Sequence, residues 1–122
     1  VTTGQEVIIG AVRDPQFEAI VMFGSGGVEV EGLRDVEFSL APLSAAEAEG
    51  LLERTWAGRR LAGFRNLPPA DRAAVLAIIR RLGQLAADFP ELAEIELNPV
   101  RVLPDGEGAF AVDVRARLAG DS

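Results

Sequence analysis

Alternating apolar and polar positions predict strands in the first third of the chain. Residues 6–13 and 19–23 are rich in valine and isoleucine, and the turn-like stretch 14–16 separates them, so they predict a hairpin. Residues 24–27 are Gly-Ser-Gly-Gly, which indicates a tight turn between strands, with a phosphate-cradling loop as the alternative. Residues 35–40 alternate strictly between apolar and polar, which is typical of a half-buried antiparallel strand.

Helical spacing takes over in the middle of the chain. Ser44 to Glu47 has the spacing of a capping box, so a helix is expected to begin there and to run to Trp56. Residues 58–69 predict a connecting loop. A longer helix is expected to begin near residue 69 or 70 and to end at Pro90. Its apolar stripe, expected to pack inside, consists of Val75, Ile78, Ile79, Leu82, Leu85, Ala86 and Phe89.

Two further strands, 95–103 and 109–118, close the chain as a hairpin. Strands, two helices and a hairpin in this order predict an α+β fold, in which an antiparallel sheet carries both helices on one face. The other face is then partly polar and available for a ligand. The length of 122 residues fits a single domain over 1–122.

Composition narrows the possible functions. A net charge of −7 argues against a nucleic-acid partner, whose phosphates require a basic face. The chain contains no cysteine and no histidine, so it cannot supply a thiolate or an imidazole to a reaction or a metal. No apolar run is long enough to span a membrane and no signal peptide opens the chain, so a cytoplasmic location is expected.

The closing hairpin carries the candidate chemistry. Asp105-Gly106 favours a two-residue type I′ turn, and that register places Asn98 opposite Asp113 and Glu96 opposite Arg115. Two carboxylates and an amide oxygen would then cluster on one face, and such oxygens suit Mg²⁺. The alternative is that these side chains are simply solvated and that Glu96 pairs with Arg115 as a surface ion pair.

Several segments in the same order resemble the ATP-grasp domain of ADP-forming acyl-CoA synthetases, which also occurs in the β subunit of succinyl-CoA synthetase. The closing motif Glu96-Leu97-Asn98-Pro99, followed by Val112-Asp113, is similar to the end of that domain. The other matching segments are residues 4–10, 13–17, 23–31, 35–38, 68–71 and 89–95. The resemblance covers nearly the whole chain and implies the C-terminal subdomain of the ATP-grasp fold.

The resemblance implies a role for each residue of the motif. Asn98 and Asp113 correspond to ligands of the Mg²⁺ that holds the phosphates of ATP or ADP. Glu96 corresponds to a residue that faces a phosphohistidine on another domain. The reaction implied is acyl-CoA + ADP + phosphate ⇌ acid + CoA + ATP.

The resemblance also implies partners. The ATP-grasp N-terminal subdomain, which shares the nucleotide, and the CoA-binding and phosphohistidine domain or subunit would lie outside this chain. The chain is therefore expected to be a fragment of a larger multidomain ligase and to be inactive alone. The alternative is a non-catalytic, synthetase-like regulatory module of a bacterial protein acetyltransferase. Departures from the family pattern occur after Phe17 and at Asn66.

A few charged residues remain as further candidates. Arg13, Arg65 and Arg115 could contact phosphate or a partner domain, with weak surface ion pairs as the alternative. Glu6 and Asp14 could join the polar face of the sheet, with solvation as the alternative.

Overall fold

A computed structural model describes residues 5–16, 18–30, 33–63 and 67–119, with the side chains of residues 26–30, 33 and 34 outside the description. The strands are β1 (Gln5–Asp14), β2 (Glu18–Val30), β3 (Leu33–Leu40), β4 (Leu92–Val102), β5 (Ala109–Ala111) and β6 (Val114–Leu118). The helices are α1 (Ala45–Glu53), α2 (Trp56–Arg59) and α3 (Arg72–Asp88), with a 3-10 turn at Arg60–Ala62. The α+β class expected from the sequence is confirmed.

All strand pairs in the sheet are antiparallel. The order is β3-β2-β1-β4-β5, and β6 pairs with β4 beyond the point where β5 ends. β1 therefore lies in the centre, and β4 is bordered by β1 on one side and by the two short strands on the other. The final strand predicted as 109–118 is thus divided, with Val112 and Asp113 between its two parts.

The helices pack on one face of the sheet, which becomes the covered face. Fully buried side chains of β1 and β2, such as Ile9 and Phe23, lie in one core with Leu51 of α1 and Ile79 of α3. Burying a large aliphatic or aromatic side chain contributes about 1.5–3 kcal/mol. The other face carries no helix among the described residues, and we call it the open face.

The glycine stretch at 24–27 is not a turn, so this prediction was wrong. β2 continues through it to Val30 and pairs with β3, and the register shifts between the pairs Gly24–Val36 and Glu29–Arg34. A Cβ at Gly24 would lie 2.2 Å from the carbonyl oxygen of Asp35. Glycine is needed here because the neighbouring backbone approaches too closely for any side chain.

The predicted capping box at the start of α1 is confirmed. The Glu47 N–H donates to Ser44 Oγ at 3.1 Å, and the Ser44 N–H donates to the Glu47 carboxylate at 2.8 Å. The helix does not continue to Trp56, however. Thr55 caps a second helix by accepting from the Gly58 N–H at 3.0 Å, so α2 and the 3-10 turn occupy part of the predicted loop.

The apolar side chains of β3 and the ring of Phe89 are placed differently from what their sequence patterns suggest. The apolar positions of β3 face the open side, where Phe38 is 56% exposed, while Asp35 and Glu37 face the helices. Phe89, expected to pack inside, is 52% exposed because it lies just beyond the last turn of α3. Trp56 is half-buried.

Arg13 has a structural role rather than a ligand-facing one. Its guanidinium donates to the carbonyl oxygens of Ala86, Phe89 and Leu92, where α3 ends and β4 begins. The Ala86 carbonyl lies in the last turn of α3, and Pro90, four residues on, has no N–H to donate to it. The arginine supplies that donor, and its charge interacts favourably with the helix dipole. Glu6 lies on the open face and pairs with Arg101. Asp14 accepts from the Gln16 N–H in the β1–β2 turn.

Candidate functional site

The closing hairpin has the register that the sequence predicts but a different turn. The Glu107 N–H donates to the Pro104 carbonyl at 2.9 Å, so Asp105 and Gly106 are the two central residues. Gly106 has φ 87°, and Glu18 is the one non-glycine residue with positive φ in the described part of the chain. Asp105 therefore lacks the positive φ that type I′ requires, and the geometry is that of type II.

Tertiary contacts explain this turn. The Asp105 N–H donates to the Pro69 carbonyl at 3.0 Å, and Pro104 bridges to Ala70. Asp71 caps α3 by accepting from the Ala74 N–H at 3.1 Å, and its second carboxylate oxygen accepts from the Gly108 N–H at 2.7 Å. The start of α3 thus anchors the tip of the hairpin, which a local turn preference cannot anticipate.

A β-bulge positions Asn98. On the β1 side, Val100 pairs with Val7 and Leu97 pairs with Ile9, so two residues of β4 face one residue of β1. The extra residue lets both Leu97 and Val100 face the covered side, with Asn98 between them. Bulges of this kind re-aim side chains and are frequent beside functional sites.

Asn98 lies opposite Asp113, as the register predicts. The Asn98 N–H donates to the Asp113 carbonyl at 3.0 Å, and the ladder continues with Leu97 paired to Val114 and Glu96 paired to Arg115. Side chains directly opposite in such a pair point to the same face. Glu96, Asn98, Asp113 and Arg115 together line one hollow of about 170 Å³ on the open face, which we call the site hollow.

The ion pairs around the site hollow differ from the one considered from sequence. Arg115 of β6 pairs with Asp113, which lies just before that strand, with Nε 3.7 Å from Oδ2. Within the described ranges, Glu96 has no ion pair although Arg115 lies directly opposite. Arg117 pairs with Glu94 at 3.5 Å, one step further along both strands. The carboxylate of Glu96 therefore remains available to a ligand.

An apolar hollow of about 210 Å³ adjoins the site hollow, and Glu96 belongs to both. Met22 and Phe38 contribute its apolar wall. Gly10 pairs with Glu96 across the sheet, and a Cβ there would lie 3.2 Å from the Ile95 carbonyl oxygen. The absence of a side chain at Gly10 keeps the surface beside Glu96 open.

The donor set fits Mg²⁺ only when phosphate and water complete it. No group of three or more histidine, cysteine, aspartate or glutamate side chains that could hold a metal occurs in the described part of the chain. Asn98 and Asp113 supply one amide oxygen and one carboxylate from opposed positions. Mg²⁺ is usually held by one or two carboxylates together with substrate phosphates and waters, so these residues fit the ion.

Asp35 is a polar feature that the sequence pattern does not reveal. Burial raises the pKa of its carboxyl group, but hydrogen bonds from Ser25 Oγ and from the Trp56 and Ala57 N–H groups, with the charge of Arg59, outweigh it and lower the pKa. The two N–H groups belong to the first turn of α2, at 2.7 and 2.8 Å from the carboxylate. Asp35 therefore stabilises this helix start and is unavailable to a ligand.

Beside it, the Arg60 guanidinium is half-buried, and burial lowers its pKa while Asp35 and Glu6 oppose that shift. Its donation to the Glu6 carbonyl at 2.6 Å connects the 3-10 turn to β1. Asp35 and Arg60 therefore stabilise the fold and do not face the site hollow. The strict alternation of 35–40 was the only sequence signal for Asp35, and it carries no information on which face the helices cover.

The candidate Arg65 and the departure at Asn66 lie outside the described residues. The departure after Phe17 falls on Glu18 and Ala19, and Glu18 has φ 71°, in the left-handed region that favours glycine. In the described part of the chain, no helix is both long enough and apolar enough to cross a membrane.

The fold and the site hollow together define the class of domain: an antiparallel sheet with helices on one face and, on the other, an oxygen donor set that fits Mg²⁺. A model of the ATP-grasp domain family matches residues 1–118. The chain belongs to this family.

Relatives with assigned activities are similar in sequence to this chain. The chain is 44% identical over 115 residues to the β subunit of ADP-forming acetate–CoA ligase I of Pyrococcus furiosus, covering 94% of the chain and 49% of the relative. It is 45% identical over 103 residues to ADP-forming acetate–CoA ligase I of Archaeoglobus fulgidus, covering 84% of the chain and 15% of the relative. The chain thus spans half or less of these relatives.

A solved structure agrees in fold. An acetyl-coenzyme A synthetase of Candidatus Korarchaeum cryptofilum, in complex with coenzyme A and Mg-AMPPCP, matches with a TM-score of 0.87 at 44% identity. The match covers 97% of this chain and 55% of that one. In that complex, a phosphohistidine segment points towards the nucleotide-binding site. The family resemblance inferred from the sequence is therefore confirmed.

Proposed function

We propose that this chain is the Mg-nucleotide-binding subdomain of an ADP-forming acyl-CoA synthetase, an acid–CoA ligase that makes ATP from ADP and phosphate. The observation that carries the proposal is the site hollow. Asn98 and Asp113 are held opposite each other by a backbone hydrogen bond, on the open face of an ATP-grasp domain. The similarity to ADP-forming ligases supports the reaction class.

Each residue of the site hollow has a distinct task in this proposal. Asn98 and Asp113 hold Mg²⁺, which neutralises charge on the phosphates of ATP or ADP. Glu96 accepts a hydrogen bond from the imidazole N–H of a histidine on another domain. This bond fixes the tautomer of the imidazole for phosphoryl transfer. That histidine must come from elsewhere, because this chain contains none.

The neighbouring apolar hollow extends the same surface. Met22 and Phe38 can pack against a flat nucleotide base while the phosphates reach Asn98 and Asp113. The nucleotide would be enclosed from its other side by an ATP-grasp N-terminal subdomain that this chain does not include. We propose that residues 1–122 form the C-terminal ATP-grasp subdomain, which works with a CoA-binding and phosphohistidine domain or subunit. The named relatives are ligases, which favours this function over a non-catalytic module of an acetyltransferase.

The test uses D113N in the full-length protein that carries this chain. Removing the carboxylate should lower Mg²⁺-dependent ATP formation at least about a hundred-fold, since a metal ligand matters at least as much as its outer-shell partners. The Mn²⁺ affinity, measured by electron paramagnetic resonance, should fall as well. Asp113 is exposed, so the midpoint of thermal unfolding should remain close to wild type.

The matched control is D105N, the same substitution at the exposed tip of the same hairpin. It should leave both ATP formation and Mn²⁺ affinity within about two-fold of wild type. The variant E96Q separates the two roles, because it should slow phosphoryl transfer while Mn²⁺ affinity is retained. Wild-type ATP formation and Mn²⁺ affinity in D113N would overturn the proposal.

A further inference from the structure

Arg115 is the cation among the four side chains that line the site hollow. The other three, Glu96, Asn98 and Asp113, present oxygen atoms suited to a metal or an imidazole. A guanidinium is repelled by a bound divalent cation, so its presence in a metal site needs an explanation. Its two neighbours in space are Asp113, just before its own strand, and Glu96, directly opposite. They offer two different carboxylates, and Arg115 pairs with the one that fits a metal.

The ion pair between Arg115 and Asp113 is loose. Nε lies 3.7 Å from Oδ2, beyond a charge-assisted hydrogen bond, and the side chains are 83% and 57% exposed. Exposed pairs of this kind hold their partners weakly. Arg115 can therefore leave Asp113 without disturbing the sheet, whose backbone pairing at this position does not depend on the side chains.

We infer that Arg115 is a phosphate-binding residue of the site hollow, which pairs with Asp113 when no metal is bound and turns to a phosphoryl oxygen when a divalent cation occupies Asn98 and Asp113. This inference rests on the proposed function. The planar guanidinium fork matches the geometry of phosphate oxygens, and the phosphates would lie next to the metal that they help to ligate. The same side chain thus neutralises Asp113 in the empty site and the phosphates in the filled one.

Arg117 is a natural control within the same strand. It lies two residues further, on the same face, and pairs with Glu94 at 3.5 Å with the two side chains about half exposed. It lines an adjacent hollow but not the site hollow. Both arginines therefore share charge and strand, with Arg115 the more exposed at 83% against 53%, and they differ in whether the paired carboxylate is a candidate metal ligand.

The experiment compares R115Q, R115K and R117Q in the full-length protein. Mn²⁺ alone serves as the probe of the metal site, because it shares the preference of Mg²⁺ for oxygen ligands. R115Q frees Asp113 and removes a repelling charge, so Mn²⁺ should bind about two- to five-fold more tightly without nucleotide. The same variant should bind Mg²⁺ with a non-hydrolysable ATP analogue about ten-fold or more weakly.

Changes of opposite direction in these two affinities identify the proposed role of Arg115, because a structural defect would weaken both. R115K keeps the charge but not the fork, so it should retain near wild-type Mn²⁺ affinity and lose part of the analogue affinity. R117Q should change both affinities by less than about two-fold.

Each other outcome is decisive. If R115Q weakens both affinities or changes neither, while D113N still loses Mn²⁺ affinity, the role of Arg115 is refuted and the proposed site stands. If R117Q reproduces the changes of R115Q, the effect is one of general surface charge and the inference fails. If D113N keeps its Mn²⁺ affinity, the proposed site and the role of Arg115 both fail.

Discussion

Asp71 and Asp113 lie near one hairpin but have opposite surroundings. Asp71, in the helical layer, is 8% exposed, and both of its oxygens accept backbone N–H groups, at 3.1 and 2.7 Å. Asp113, on the open face, has one exposed ion pair at 3.7 Å. Asp35 resembles Asp71, since a hydroxyl and two N–H groups occupy its carboxylate. A carboxylate saturated by the protein holds the fold together, and one left open can hold a ligand.

The same contrast applies to apolar side chains. Phe23 of β2 is fully buried beneath the helices, and Phe38 of the neighbouring strand β3 is 56% exposed on the open face. Since exposing an aromatic ring to water is unfavourable, the open face is suited to contact a ligand or another domain. The covered face therefore carries the stability, and the open face carries the candidate chemistry.

The largest expected effect is the difference between F23A and F38A. F23A should lower the free energy of unfolding by about 3–5 kcal/mol, because it leaves a cavity in the core. F38A should cost less than about 1 kcal/mol, because the ring is already half in water. Urea denaturation of both variants measures the difference. Equal losses would show that the open face is covered in the folded protein and would break the comparison.

The next largest expected effect is the difference between D71A and D113A in unfolding free energy and Mn²⁺ affinity. D71A should cost about 2–4 kcal/mol, because it removes a helix cap and leaves the Gly108 N–H without its acceptor. D113A should change the free energy of unfolding by less than about 1 kcal/mol. Unfolding curves together with Mn²⁺ affinities provide the check. The comparison fails if D113A proves the more destabilising of the two.

The smallest effect is a pH-dependent one at Asp35. D35N should cost about 1–3 kcal/mol at pH 7, because the charge-assisted bonds to α2 weaken. The pKa of Asp35 is lower in the folded state than its ordinary value of 3.8, so the unfolded chain binds the proton more readily. The stabilisation is complete above the unfolded pKa and is lost as pH falls through the folded one.

The gap in unfolding free energy between wild type and D35N should therefore narrow below about pH 4. The control is E37Q, on the same face of β3, where the carboxylate forms an exposed ion pair with Arg54 at 3.2 Å. That variant should cost less than about 0.5 kcal/mol at pH 7. A D35N gap that stays constant from pH 7 to pH 3 would contradict the assigned role of the Asp35 charge.

Local rules predicted those parts of the fold that depend on neighbours in the chain. The capping box at Ser44 and Glu47 needs only three residues of spacing, and the opposition of Asn98 and Asp113 needs only the position of a tight turn. The glycine stretch at 24–27 was misread because glycine serves turns and close backbone approach equally well. Only the proximity of Asp35 to Gly24 distinguishes the two cases.

The sequence pattern of a strand likewise does not show which of its two faces the helices cover. Residues 35–40 alternate in the way expected, but Phe38 faces the open side and Asp35 the helices. Period-two alternation specifies that two faces differ, and the helices decide which face is covered. Phe89 belongs to the helical stripe by spacing but lies beyond the end of α3, where it is 52% exposed.

By itself, the sequence determined the α+β class, the hairpin register and the motif that aligns Glu96, Asn98 and Asp113, because these depend on short-range spacing. The tertiary structure decided the turn type, through the anchoring of Asp105 by Pro69. It also decided which carboxylates are free: α2 and the hairpin tip supply N–H donors to Asp35 and Asp71, and no such donor reaches Asp113 within the described residues. Availability to a ligand depends on elements far apart in the chain, and packing alone brings them together.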